Sequence, residues 1–83
     1  MTMYSPAQPE VLIASGTIEQ ISSMYSWATF INSGAAAGTI DFGGGNIVTL
    51  GAGESLTMPY LGRPYAFTEI DGTLTTIKII YVR

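Results

Sequence analysis

The sequence predicts one all-β domain, a small β-sandwich or jelly-roll-like barrel of about eight short antiparallel strands that follows an extended N-terminal arm. Three observations predict this fold. Short runs rich in Ile, Val, Thr, Tyr and Phe recur along the chain, glycine-containing turns separate them, and no segment combines helical spacing of apolar residues with capping signals. With 83 residues, the chain has room for one hydrophobic core.

The predicted arm covers residues 1–9 and the β-domain residues 10–83. The first nine residues contain Pro6 and Pro9 and show no periodicity, which is typical of an extended segment near polyproline geometry. We expect Tyr4 in this arm to contact a neighbouring subunit, and a disordered terminus is the alternative. The arm lacks the basic and apolar regions of a signal peptide, and the apolar runs are too short to span a bilayer, so we expect a soluble protein without a targeting signal.

The eight predicted strands share β-branched and aromatic residues, partial alternation and a turn signal at their ends. They are Glu10–Ala14, Thr17–Ser22, Ser26–Asn32, Gly38–Phe42, Asn46–Leu50, Ser55–Pro59, Tyr65–Ile70 and Thr73–Val82. The dipeptide Asp71-Gly72 lies between two well-defined runs and predicts a tight hairpin. A jelly roll is the favoured form with eight strands.

The last predicted strand is apolar on both faces. Ile77, Ile79 and Tyr81 alternate with Lys78 and with further apolar residues on the opposite side. A strand of this kind is predicted to be central, covered on one face by its own core and on the other by something else.

Charge is scarce in this chain. Only 11% of its residues are charged, against about 25% in an average soluble domain, so much of its surface is expected to lie in contacts. Without cysteine for disulfides or histidine for metal sites, oligomerisation remains as the way to stabilise so small a domain. Three basic residues and a net charge of −3 argue against nucleic acid or an anionic membrane as a partner.

The residues that carry catalysis are also few. The absence of His and Cys excludes Ser/His and Cys/His nucleophiles, and no cofactor or metal is predicted. Glu69 and Asp71 resemble a glycosidase pair in spacing, but a turn beginning at Asp71 is expected to splay them. The glycines at 43–45 precede no Lys-Ser or Lys-Thr pair, so they indicate a loop between strands and not a phosphate site. We predict that the chain is not an enzyme.

Aromatic residues are the better candidates for contacts. The loop Tyr60-Leu61-Gly62-Arg63-Pro64-Tyr65 combines tyrosines, a leucine and a cation, which is the composition of interface hot spots. Trp27 alternates with Thr29 and Ile31 and is interpreted as a core or interface anchor. Exposed aromatic residues on a β-sandwich also favour an alternative function, a small carbohydrate-binding or adhesion module.

The run from Ile47 to Leu56, with the turn Leu50-Gly51-Ala52-Gly53-Glu54-Ser55, and the closing strand from Thr76 to Tyr81 resemble small β-sandwich virion proteins of tailed bacteriophages. The resemblance implies turn-forming roles for Glu54 and Ser55. It also implies a homo-oligomer, with a trimer favoured, that sits on a capsid or tail. The hypothesis is therefore a capsid decoration or similar virion component that contacts other subunits through Tyr4, Trp27, Tyr60, Leu61, Arg63 and Tyr65.

Overall fold

The computed structural model describes residues 8–83, and within that range it contains eight strands and no helix. The all-β class is confirmed, and each predicted run overlaps one observed strand. The strands β1 to β8 are Glu10–Ser15, Ile18–Ile21, Trp27–Asn32, Gly38–Asp41, Ile47–Leu50, Ser55–Met58, Thr68–Asp71 and Thr76–Val82. Most of the predicted arm, including Tyr4, lies outside the described residues.

The strands form two antiparallel sheets of four. The first sheet has the order β1-β8-β3-β6, and the second has the order β2-β7-β4-β5. Their pairing is nested, because the first strand pairs with the eighth, the second with the seventh, the third with the sixth and the fourth with the fifth. Every connection except the β4–β5 loop therefore crosses from one sheet to the other.

The hydrophobic core lies between the two sheets. Alternation along each strand directs one set of side chains inwards, and the buried set is Ala14, Ile21, Tyr25, Ala28, Phe30, Ile40, Leu50, Ile70, Ile77 and Ile79. Phe30 packs edge to face on Phe42 with ring centroids 5.8 Å apart. β8 is central in the first sheet, as its two apolar faces predicted.

The predicted hairpin at Asp71-Gly72 is wrong, because β7 and β8 belong to different sheets. Gly72 is buried at the crossing, where an added Cβ would collide with the carbonyl oxygen of Ala14. The N–H of Gly16 donates to the Gly72 carbonyl at 2.8 Å, and the Gly72 N–H donates to the Thr17 carbonyl at 2.9 Å. The β1–β2 and β7–β8 crossings are thus joined side by side.

Candidate interaction surfaces

The outer face of the first sheet carries an apolar patch, which we call the open face, and polar residues border it: Ser15 and Thr76 at one end, and Ser55 and Thr57 along β6. It consists of Val11, Ile13, Trp27, Ile31, Ile80 and Val82, with Thr29 and Lys78 among them. Strand register places Val11 beside Ile80, and Ile80 beside Thr29. Val11, Ile13 and Ile31 are 57, 54 and 37% exposed. An antiparallel sheet that faces water normally carries polar residues on that side, so this face has the character of an interaction surface.

Lys78 lies at the centre of the open face. It is opposite Ile13 on β1 and opposite Ile31 on β3. Among the described strands it is the only residue that brings a charge to this face. The open face therefore combines apolar surface with a single positive charge.

The outer face of the second sheet is acidic. Asp41 on β4 lies directly opposite Glu69 on β7, and Asp71 follows two residues after Glu69 on the same face. The Gln20 side-chain amide donates to Glu69 at 3.0 Å. Hydrogen bonds from the hydroxyl and the backbone N–H of Thr73 hold the pKa of Asp71 below its ordinary value. The two outer faces of the sandwich thus differ in chemical character.

The expected splaying of Glu69 and Asp71 is wrong, because β7 continues through Asp71 and keeps both residues on one face. Their carboxylates nevertheless serve different partners, since Asp71 accepts from Thr73 and Glu69 accepts from Gln20. No group of His, Cys, Asp or Glu within residues 8–83 is placed to hold a metal ion, and no pocket is found there. Gly43 to Gly45 form the β4–β5 loop and all have positive φ, between 62 and 87°.

The predicted contact loop lies between β6 and β7. Tyr60 and Leu61 are 66 and 63% exposed, and Arg63 is also exposed. Tyr65 is half-buried and anchors the loop, because its hydroxyl donates to the Pro59 carbonyl at 2.6 Å. The Tyr65 ring stacks on buried Tyr25 with centroids 5.3 Å apart, and the two backbones form a bridge. The loop therefore presents three of its four predicted contact residues to solvent.

Trp27 lies on the open face and not in the core. It opens β3, opposite Val82, and is half-buried. Because Trp27, Thr29 and Ile31 alternate on the outward side of β3, the inward positions go to Ala28 and Phe30. Trp27 was interpreted as a core or interface anchor, and the core position is wrong.

Sequence reasoning did not identify Val11, Ile13 and Ile31 as surface residues. The available signal was the pattern of β1, whose outward and inward positions are both apolar, as they are in β8. A central strand such as β8 is covered by sheet neighbours on both edges, but β1 is an edge strand. Two adjoining strands that are apolar on both faces indicate an outer surface that needs cover.

No helix in the described part of the chain is long and apolar enough to cross a membrane. No protein-family model matches the chain, and no curated protein does. Among solved structures, the chain is similar to a de novo designed double-stranded beta-helix determined by solution NMR. The similarity has a TM-score of 0.50 and 17% identity, and covers 95% of this chain and all of the designed one. It concerns the fold alone.

Proposed function

We propose that this chain is a non-enzymatic assembly protein, a capsid decoration or similar component of a virus particle, whose open face is covered by a neighbouring protein subunit. The observation that carries this proposal is the open face itself, with exposed Val11, Ile13 and Ile31 around one charge. Burial of apolar surface stabilises a complex by about 25 cal/mol for every Å² removed from water, so the covering of this face by a partner is favourable.

The chemistry of the open face describes the partner. Its apolar residues require an apolar surface opposite, and Lys78 requires an acidic group, because an unpaired charge is costly to bury. Lys78 lies between Ile13 and Ile31 in the strand register, so the acidic group is needed near the centre of the contact and not at its rim. A phosphate-rich partner would require more cations than this face provides.

We include a jelly-roll topology in the same proposal. Nested pairing of eight antiparallel strands in two sheets is the pattern of a jelly roll, a fold common in viral capsid domains. The geometry of the turn from Leu50 to Ser55 is consistent with the proposal, since the Gly51 N–H donates to the Glu54 carboxylate at 2.6 Å. The Glu54 N–H donates to the Gly51 carbonyl at 3.0 Å, which closes the turn before Ser55. The trimer remains part of the proposal.

Cosedimentation with virus particles from the source of the chain tests the proposal. The test variant is Ile13→Lys combined with Ile31→Lys, and we expect at least a tenfold loss of particle binding because two charges would be buried at the contact. The matched control is Ile18→Lys, which changes an isoleucine that is 50% exposed on the second sheet. Failure of the wild-type chain to bind particles, or equal binding by the double variant, would contradict the proposal.

A carbohydrate-binding or adhesion module is the second candidate, and the exposed ring of Tyr60 favours it. Tyr25 is buried and cannot stack on a sugar, so the candidate rings reduce to Tyr60 and the half-buried Trp27 and Tyr65. A glycan array in which Tyr60→Ala abolishes a hit seen with the wild-type chain would support this candidate. An array without hits would remove it.

A further inference from the structure

β5 is an edge strand that is exposed on both faces. Within residues 8–83 it pairs only with β4, and no described strand lies along its other edge. Ile47 is 59% exposed on one face and Val48 is 37% exposed on the other. The strand Ile47–Leu50 contains no charge and no proline. A free edge of this kind is a template for pairing with another strand.

The backbone groups of Thr49 point to the free edge. The Phe42 N–H donates to the Asn46 carbonyl at 2.9 Å, at the start of the β4–β5 ladder. Antiparallel pairs alternate between bonded and non-bonded, so Ile40–Val48 is a bonded pair and Thr39–Thr49 is not. The N–H and carbonyl of Thr49 are therefore directed away from β4.

Other edge strands of the sandwich carry features that discourage pairing. β1 begins at Glu10, which forms an ion pair with Arg83. β2 contains Glu19, and β6 is followed directly by Pro59. Charges and prolines protect edges in natural sheets, and β5 has neither.

We propose that β5 pairs antiparallel with β5 of a second copy of this chain, about a twofold axis at Thr49. Each Thr49 then donates its N–H to the carbonyl of Thr49 of the partner subunit, and the two second sheets join into one sheet of eight strands. Val48 of one copy lies opposite Leu50 of the partner subunit, so apolar residues meet on the inner side. This inference rests on the proposed assembly function and names the element through which copies meet.

A second copy fits this edge because β5 is uncharged and its own apolar residues, Val48 and Leu50, meet in the twofold register. The chain carries a net charge of −3, so two copies repel unless they meet where carboxylates are distant. Two carboxylates lie near β5: Asp41 is across from Ile47 on β4, and Glu54 accepts from the N–H of Gly51, directly after the strand. In the paired sheet the two Asp41 residues are at least three strand spacings apart, roughly 14 Å. The two Gly51 residues that bind the Glu54 carboxylates are four residues apart along the strands, roughly 13 Å, and both separations exceed the screening length of about 8 Å at physiological salt.

The test measures self-association of Thr49→Pro by sedimentation velocity. The N–H of Thr49 has no hydrogen-bond partner among residues 8–83, and proline is tolerated at an edge position whose N–H faces solvent. The variant loses both central hydrogen bonds, so we expect the dimer dissociation constant to rise at least about tenfold. In the wild-type chain, hydrogen exchange at the Thr49 amide is expected to slow as protein concentration rises. Circular dichroism verifies that the variant is folded.

A second pair of variants covers the case in which Thr49→Pro does not fold. Thr49→Lys places a charge at the paired edge, and Thr39→Lys places the same charge directly opposite on β4, away from the edge. We expect dimerisation to be lost only in Thr49→Lys. Equal behaviour of the two lysine variants, or Thr49 exchange that is independent of concentration, overturns the pairing. If Thr49→Pro still binds particles while the Ile13/Ile31 double variant does not, the proposed function stands without the edge pairing.

Discussion

The side-chain oxygen of Asn32 accepts a 2.7 Å hydrogen bond from the hydroxyl of Thr75, 43 residues later in the chain. The same oxygen accepts from the Gly34 N–H at 3.0 Å. The amide nitrogen of Asn32 donates to the carbonyls of Ala36 at 2.8 Å and of Leu50 at 2.9 Å. One buried side chain thus joins the β3–β4 connection, the last residue of β5 and the β7–β8 connection at one end of the sandwich.

Replacing Asn32 by Leu is expected to lower the free energy of unfolding by about 3 kcal/mol or more, because several buried polar groups lose their partner. Thr75→Val removes one of these bonds and is expected to cost about 1–2 kcal/mol, while Thr75→Ser keeps the hydroxyl. Urea unfolding measures all three variants. Equal stability of Thr75→Val and Thr75→Ser would show that the hydrogen bond to Asn32 contributes nothing.

Gly72→Ala is expected to destabilise the fold by about 3 kcal/mol, because its Cβ would collide with the rigid backbone of Ala14. The control is Gly44→Ala, where φ is +62° and the surrounding space is open. There the cost is the backbone strain alone, about 1 kcal/mol. Thermal unfolding measures both variants, and a Gly72→Ala protein as stable as Gly44→Ala would contradict the packed crossing.

Burial raises the pKa of Tyr25 above its ordinary value of 10.0, and the 2.6 Å hydrogen bond with Thr68 opposes the shift. The raised pKa means that the folded state holds this proton more tightly than the unfolded state. The associated stability is present below pH 10 and is lost as pH rises through the folded pKa.

Tyr25→Phe is therefore expected to lower the free energy of unfolding by about 1 kcal/mol at neutral pH. Above pH 10 the free energy of unfolding is expected to fall less steeply with pH in this variant than in the wild-type chain. Urea unfolding from pH 7 to 11 measures the difference. Parallel pH profiles of the two proteins would contradict the role of the Tyr25 hydroxyl.

The direct opposition of Asp41 and Glu69 is an unfavourable pair on the second sheet. Glu69→Gln removes the repulsion and is expected to stabilise the fold by about 0.5 kcal/mol at low salt. The gain is expected to shrink as salt screens the wild-type repulsion. Glu54→Gln serves as the comparison, since Glu54 lies in the β5–β6 turn and accepts from Gly51. A Glu69→Gln protein that is less stable than the wild type would show that the bond from Gln20 outweighs the repulsion.

The strands were predictable because β-branched runs and glycine turns act locally, as in β3 and β8. The place of Gly72 at a crossing between sheets was not predictable, because it depends on the carbonyl of Ala14, which is close in space and far in sequence. A turn dipeptide between two strand-like runs is compatible with both a hairpin and a crossing between sheets. Packing between distant parts of the chain decides between the hairpin and the crossing, and no local sequence pattern contains that information.

Of the candidate surfaces, one was predictable from the sequence and the other was not. The loop of Tyr60, Leu61 and Arg63 was identified from composition, and it is exposed. The open face was missed because its residues come from strands that are distant in sequence, and only the register of β1, β8 and β3 brings them together. Trp27 belonged to this face, but its side of β3 was not determined by alternation alone.

The proposed function requires that contacts with other subunits complete this chain. The most direct test is the native mass of the purified wild-type chain, measured by native mass spectrometry and by sedimentation over a wide range of concentrations. The proposal predicts a species of two or more chains that dissociates on dilution. A mass of one chain at every concentration, together with no binding to particles from its source, would contradict it.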